Sequence, residues 1–157
     1  MKSIIAYTAL WMVLGATLVL SQGAAAQEEP GKCSAARAAG SYGASDSGTV
    51  IGVGPRAAVA QLSLDASGNI KGNVTSSLNG SVTSSSLSGT YSVNSNCTGT
   101  TTFGEFDSSG NLLLTATVSL MWDDNMRQFR FLFTSAVEPD GTSLSTVING
   151  EARKTVP

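Results

Sequence analysis

Apolar and polar residues alternate with a period of two along most of the chain from residue 58 onwards. The longest such stretch runs from Leu112 to Trp122, and another places Phe129, Phe131 and Phe133 in one row. Shorter stretches are at Ala58, Ala60, Leu62 and Leu64, at Ile70, Gly72 and Val74, at Leu87, Gly89, Tyr91 and Val93, and at Leu144, Thr146 and Ile148. Because the side chains of a strand point alternately to its two faces, this pattern predicts antiparallel strands with one buried face.

Clusters of Gly, Asn and Asp separate these stretches at nearly even spacing. They lie at 65–69, 79–80, 94–96, 107–111, 123–125 and 138–141, and their centres at 67, 80, 95, 109, 124 and 140 are 13 to 16 residues apart. These residue types tolerate positive φ and bond to their own backbone, which predicts tight hairpin loops. About 10 residues remain for each strand, more than the usual 5–6.

Hairpin-linked strands of this length predict an all-β domain over residues 40–157. Six turns separate seven strands, and the segment Gly40–Val53 supplies an eighth. Glycines interrupt its second half, so we expect a loop or a bulged strand at Gly48–Val53. Eight antiparallel strands can close into an up-and-down barrel without an exposed edge. A β-sandwich is the alternative, but its strands are usually shorter.

The first 26 residues have the pattern of a signal peptide. Lys2 precedes the apolar run Ile4–Leu20, and Ala24–Ala26 supplies the small residues of a cleavage site. We therefore expect export to the periplasm or the extracellular space, with residues 27–39 as a lead segment before the barrel. The alternative is an uncleaved membrane anchor, for which the apolar run is short. No other segment approaches the length of a membrane span.

The charge balance of the chain narrows the range of partners. Cleavage of the signal peptide would leave 8 of the 9 Lys and Arg residues and all 11 Asp and Glu residues, so the net charge changes from −2 to about −3. A protein with net negative charge is repelled by nucleic acid and by anionic membrane surfaces, because both are negatively charged. We therefore expect neither as a partner.

The two cysteines, Cys33 and Cys97, are expected to form a disulfide, because an exported chain with an even number of cysteines is most simply oxidised. The bond would join positions 64 residues apart and would tie the lead segment to the turn at 94–96. Two free thiols or a redox pair are the alternatives, although the chain has no Cys-x-x-Cys motif.

The chain contains no histidine, which removes the usual catalytic triads and zinc sites. Asp65–Asn69 and Asp107–Asn111 share the pattern Asp-x-Ser-Gly-Asn, whose oxygens suit calcium, but each has one carboxylate and neither continues as a calcium-binding loop. Asp123 and Asp124 are neighbouring carboxylates, but Asn125 makes this group a turn. We therefore favour plain turns and expect no metal site and no cofactor.

Glu105 is the one weak candidate for acid–base catalysis. If the odd-numbered residues of this strand face inward, Glu105 shares the inner face with Thr101 and Phe103, and burial would raise its pKa. If the even-numbered residues face inward, Phe106 is inside and Glu105 faces solvent. We favour this second arrangement. Arg127 has the parity of the phenylalanine row, so it is either the ionic partner of Glu105 or a residue of the rim.

The candidate ligand-binding residues are aromatic side chains of the predicted inner face. They are Tyr91, Phe103, Trp122, Phe129, Phe131 and Phe133. Aromatic rows of this kind form either a packed core or the wall of a cavity. An eight-stranded barrel has room for its side chains or for one small ligand.

The run Leu87–Thr100, together with Gly40–Tyr42 and Leu62–Ile70, resembles a group of small exported bacterial proteins over most of residues 33–153. In fold these are similar to the allene-oxide-cyclase-type barrel, with lipocalins and avidins as looser relatives. The resemblance implies an eight-stranded barrel and an apolar ligand. It carries no activity with it, because the active-site residues of the plant cyclase match no positions here. The Gly-x-Trp signature of lipocalins is absent, and Gly-Ser-Tyr stands in its place.

These observations predict a non-enzymatic barrel that binds a small apolar or amphiphilic molecule in its interior. One alternative is an enzyme of the cyclase or isomerase type that acts on a hydrophobic substrate and uses Glu105. The other alternative is a structural or surface-interaction protein whose barrel is filled by its own side chains.

Overall fold

Eight antiparallel strands form one closed sheet in the computed structural model, which describes residues 33–123 and 125–155. The strands are β1 (Gly40–Val50), β2 (Gly54–Leu64), β3 (Asn69–Leu78), β4 (Ser81–Val93), β5 (Thr98–Phe106), β6 (Leu112–Trp122), β7 (Gln128–Val137) and β8 (Thr146–Lys154). Each strand pairs with its neighbours in the chain, and β1 also pairs with β8. The predicted up-and-down barrel is therefore confirmed, and the β-sandwich is wrong. The predicted signal peptide, residues 1–26, lies outside the described residues.

Side-chain hydrogen bonds hold the two Asp-x-Ser-Gly-Asn turns in the same way. Asp65 Oδ1 accepts the backbone N–H groups of Ser67 and Asn69 at 2.9 Å each, and Asp65 Oδ2 accepts from the Asn69 amide at 2.7 Å. Asp107 accepts the equivalent bonds in its own turn. The bond from the asparagine side chain, followed by those from the backbone, lowers the pKa of each aspartate. These bonds close both segments into tight turns at the predicted positions.

At Gly48 and at Leu112 the strands differ from what the sequence pattern predicts. β1 stays regular through Val50 and the chain turns only at 51–53, so the loop or bulge predicted to begin at Gly48 is wrong for its first three residues. A side chain at Gly48 would overlap the backbone carbonyl of Val147, so this glycine permits close approach of β1 and β8. On β6, a bulge leaves Leu112 38% exposed, although the alternation places it inside.

One end of the barrel, called the capped end below, is covered by residues 33–39. The Ser34 hydroxyl caps the single-turn helix α1 (Ala35–Ala38). Cys33 is bonded to Cys97, as predicted, so the lead segment is covalently fixed to the turn between β4 and β5.

Two buried tyrosines fasten this cap to the barrel. The Tyr42 hydroxyl donates to the carbonyl of Ala38 at 2.6 Å and lies 3.3 Å from that of Met126. The Tyr91 hydroxyl lies within hydrogen-bond distance of two carbonyls, that of Ala35 in the cap at 3.1 Å and that of Asp65 in the β2–β3 turn at 2.6 Å. Burial raises the pKa of each tyrosine to about 12, so both hydroxyls remain protonated donors at neutral pH.

The opposite end is called the acidic end below. Its turns are 51–53, 79–80, 107–111 and 138–145. The charged residues in these turns are Asp107, Glu138 and Asp140, and the turns contain no Lys or Arg. The two ends therefore differ in covering: residues 33–39 and the disulfide cap one end, and the turns of the other carry acidic residues and no basic ones.

Candidate ligand site in the barrel lumen

A cavity of about 60 Å³ lies in the lumen, as the barrel interior is called below. Its wall is almost entirely apolar, with Leu62, Val118 and Leu120 at mid-height. At the capped end it reaches Tyr91, and at the acidic end it reaches Glu105. The cavity is therefore an apolar space with one charged end.

Five of the six predicted aromatic residues line this cavity. They are Tyr91, Phe103, Phe129, Phe131 and Phe133. The four phenylalanine rings form a continuous row, with Phe131 6.1 Å from Phe129 and 6.3 Å from Phe133, and Phe103 edge-on to Phe133 at 6.2 Å. Phe131 is half-buried and the other four are buried. Their part in binding a ligand stays a prediction.

Trp122 is not part of the cavity wall. It is buried at the capped end, with its ring 5.3 Å from Phe129 and 6.3 Å from Tyr91. Its indole N–H is buried and has no hydrogen-bond acceptor in the part of the chain that the structure describes. Trp122 supports the wall from behind, and the alternation of β6 could not distinguish this position from the lumen.

Glu105 faces the lumen and is 5% exposed, so the preferred assignment to solvent is wrong. It shares the inner face of β5 with Thr101 and Phe103, whereas Phe106 is only half-buried. The register of β4 and β5 sets this parity, because Leu87, which is buried, pairs with Glu105. The sequence pattern alone allowed both parities.

The ionic partner of Glu105 is Arg56 on β2, and Arg127 is exposed at the capped end. Arg56 Nε is 3.2 Å from Asp46 Oδ1, and Arg56 Nη2 is 3.7 Å from Glu105 Oε1. The side chains of all three are 10% exposed or less. Since β2 and β5 are three strands apart in the barrel order, Arg56 reaches across the lumen. We call Asp46, Arg56 and Glu105 the lumenal triad.

Sequence reasoning missed Asp46 and Arg56. Arg56 has the strand parity of the inward row that begins at Ala58, and Asp46 has the parity of the buried Tyr42. Parity could have placed both inside, but charged residues near strand ends are ordinarily assigned to solvent.

Burial raises the pKa of Glu105 above its ordinary value, and the Arg56 charge and the Ser85 hydrogen bond act in the opposite direction. Ser85 Oγ donates to Glu105 Oε2 at 3.3 Å. This is the one hydrogen bond to the Glu105 carboxylate among the described residues, although an ionised carboxylate has about four acceptor positions. The carboxylate thus has unused acceptor capacity at the edge of the cavity.

Within residues 33–123 and 125–155, no group of three or more Cys, Asp or Glu side chains is arranged to hold a metal ion. No helix in these two ranges has the length and apolar character that a membrane crossing requires.

The comparisons with known proteins bear on the fold. No protein-family model matches the chain, and neither does any curated protein. Among solved structures, the chain is similar to a de novo designed fluorescence-activating β-barrel, with 13% identity, a TM-score of 0.50, and 78% of this chain and 99% of that chain covered. It is also similar to EF1p2_mFAP2b bound to DFHBI, with 11% identity, a TM-score of 0.52, and 76% and 94% covered. Both likenesses show the barrel fold alone.

Proposed function

We propose that this protein binds a small, slender molecule in the barrel lumen, with the apolar part of the ligand against the aromatic wall. The observation that carries the proposal is a cavity walled by apolar side chains that ends at a buried, incompletely bonded carboxylate. Packed cores seldom retain voids larger than a water molecule, and buried polar groups are ordinarily hydrogen-bonded. EF1p2_mFAP2b, which is similar in fold, is bound to DFHBI, and this supports a barrel of this kind as a binder of a small molecule.

The cavity volume limits the size of the ligand. The lumen offers about 60 Å³, whereas an engineered cavity that holds benzene measures about 150 Å³ and drug-sized sites about 300–1,000 Å³. The ligand that fits without rearrangement therefore has only a few heavy atoms. A longer ligand requires a wall residue to turn, and the half-buried Phe131 is the aromatic wall residue with the most freedom to do so.

Xenon is a suitable first probe, because it enters dry apolar cavities without hydrogen bonding. We expect dissolved xenon to shift the methyl NMR signals of Val118 and Leu120, which line the cavity. Ala60→Leu places a larger side chain at the cavity wall and should abolish these shifts, whereas Ala57→Leu on the exposed face of β2 should preserve them. If xenon leaves the lumenal methyl signals unchanged, the lumen is filled and the protein is better explained as a structural or surface-interaction barrel.

A second candidate function is acid–base catalysis by Glu105, of the cyclase or isomerase kind. The observation that favours it is the raised pKa of a carboxyl group that lines an apolar cavity. To test catalysis, the protein is incubated with a lumenal ligand, and the ligand is then analysed by mass spectrometry and NMR. An isomerised product that forms with wild type but not with Glu105→Gln supports catalysis, and a chemically unchanged ligand contradicts it.

We also propose export to the periplasm or the extracellular space, and a relationship to the allene-oxide-cyclase-type barrel. A disulfide is typical of oxidising compartments, which supports export. We propose that cleavage after residue 26 leaves the lead segment at 27–39 and the barrel domain at 40–157. N-terminal sequencing of protein recovered outside the cytoplasm should therefore begin at Gln27. A start at Met1 would contradict the cleavage.

A further inference from the structure

The lumenal triad contains two carboxylates and one guanidinium. Arg56 makes its closer contacts to Asp46, with a 3.2 Å contact from Nε and a 3.5 Å contact from Nη2. Its contact to Glu105 is longer, at 3.7 Å, and does not meet hydrogen-bond distance. The charge of Arg56 therefore neutralises mainly Asp46, and the negative charge of ionised Glu105 is only partly compensated.

The turns around the triad have the same sign of charge. Asp107, Glu138 and Asp140 lie in the turns of the acidic end, where Lys and Arg are absent. Charges of one sign around an opening concentrate ions of the opposite sign and raise their association rate. The turns of this end therefore attract a cation and repel an anion, and inside them the two carboxylates of the triad outnumber its one guanidinium.

The wall beside Glu105 also suits a cation. The face of the Phe133 ring already lies 5.9 Å from the Arg56 guanidinium carbon, and Phe103 lies edge-on to the same ring. Aromatic faces attract ammonium groups within about 6 Å of the ring centroid. Carboxylate and ring together would replace part of the hydration that an ammonium group loses on entry.

We propose that the lumenal ligand is a small primary ammonium compound whose charged end binds Glu105 and whose apolar body lies against Phe133 and Val118. This proposal rests on the proposed function, because it names the chemical class that the same cavity takes. An anionic ligand is excluded by the same geometry, since it would place a third negative charge beside a single guanidinium.

Three probes with one three-carbon body test the proposal: propylammonium, 1-propanol and propionate, each titrated at pH 7 and followed by methyl NMR. Wild type should bind propylammonium about tenfold or more tightly than propanol, because the ammonium group adds charge–charge attraction to its hydrogen bond with the ionised carboxylate, whereas the hydroxyl of propanol is a neutral donor. Propionate should be the weakest of the three. Ala60→Leu should abolish binding of all three, as we also expect for the entry of xenon.

Glu105→Gln tests the recognition residue, because the amide has the size of the carboxyl group without its charge. It should reduce propylammonium affinity about tenfold while propanol affinity stays the same. Glu105→Asp retains the charge and should retain the preference for the cation. Glu151→Gln is the matched control, because Glu151 is partly exposed and does not line the cavity, and it should leave all three affinities unchanged.

The outcomes separate the two proposals. Equal affinity for propylammonium and propanol, or a cation preference that survives Glu105→Gln, overturns the ammonium proposal and leaves the proposed function standing if xenon still enters. Propylammonium binding that survives Ala60→Leu is surface binding and also overturns it. If neither xenon nor any of the three probes affects the lumenal methyl signals, the proposed function itself fails.

Discussion

Loss of the Cys33–Cys97 disulfide should destabilise the barrel by about 4 kcal/mol. The bond joins positions 64 residues apart. In the chain-entropy model, closing a loop of this length lowers the entropy of the unfolded chain by about 14 cal/mol/K, which is about 4 kcal/mol at 25 °C. The bond also holds α1, a four-residue helix too short to persist alone. Since Tyr42 and Tyr91 donate to carbonyls of this helix, the cap should loosen when the tether is cut.

Equilibrium urea denaturation of oxidised wild type, reduced wild type and the double variant Cys33→Ala, Cys97→Ala measures this contribution. With a slope of about 2 kcal/mol per molar urea, the midpoint should fall by about 2 M in both thiol-reduced and alanine forms. Ser95→Ala, an exposed change in the same turn, is the control and should stay within about 0.5 kcal/mol of wild type.

A loss below about 1 kcal/mol in the reduced protein, with an unchanged slope, would refute the loop-entropy argument. The reduced wild type and the alanine variant should also lose the same free energy of unfolding, because both lack the disulfide although their side chains at these positions differ. If only the alanine variant is destabilised, the loss comes from packing around Cys33, which is buried.

Three further changes probe the barrel wall and its buried groups. Gly89→Ala should destabilise by about 1–3 kcal/mol in urea denaturation, because its Cβ would overlap backbone of the adjacent strand β5, whereas Gly43→Ala, with room at its Cβ, should be neutral or stabilising. Tyr42→Phe should destabilise by about 1–3 kcal/mol, because the carbonyl of Ala38 loses its 2.6 Å hydrogen bond from the buried hydroxyl. Glu105→Gln should be more stable than wild type at neutral pH, and its advantage should grow as pH rises.

The sign of the Glu105 effect follows from the raised pKa. The protonated carboxyl is favoured in the fold, so its contribution is fully present below the unfolded pKa of about 4.3 and is lost as pH rises through the higher folded pKa. The lowered pKa values of Asp65, Asp107 and Asp140 act in the opposite direction but are common to both proteins and cancel.

Each of these predictions has a contradicting result. An advantage of Glu105→Gln that is flat or shrinks between pH 4 and pH 8 would show that the carboxyl is not destabilised by burial. Equal effects of the two glycine substitutions would contradict the close approach of β4 and β5. A neutral Tyr42→Phe would show that water or another donor replaces the hydroxyl.

The fold was readable from the sequence because its determinants are local. A period of two identifies a strand face from a few neighbours, and Asp65 and Asp107 fix their turns through bonds inside five residues. The local pattern predicted two positions wrongly. At Leu112 the cause is a bulge, and at Gly48 it is the close approach of two strands.

The candidate site was only partly readable, because the lumenal triad assembles from β1, β2 and β5. Which residues of distant strands lie at one height depends on the stagger of a closed barrel, which no local pattern reports. The sequence identified Glu105 as a candidate and five cavity-lining aromatic residues, but it assigned Glu105 to solvent and named Arg127 in the place of Arg56. The size of the cavity depends on how all inward side chains pack, so it could not be predicted either.

A crystal structure of the protein soaked with propylammonium tests the central claim most directly. We expect the ammonium nitrogen within about 3 Å of a Glu105 carboxylate oxygen, with the propyl chain between Phe133 and Val118. A lumen without propylammonium at a concentration that saturates the NMR shifts, or an ammonium bound only outside the barrel, would contradict it.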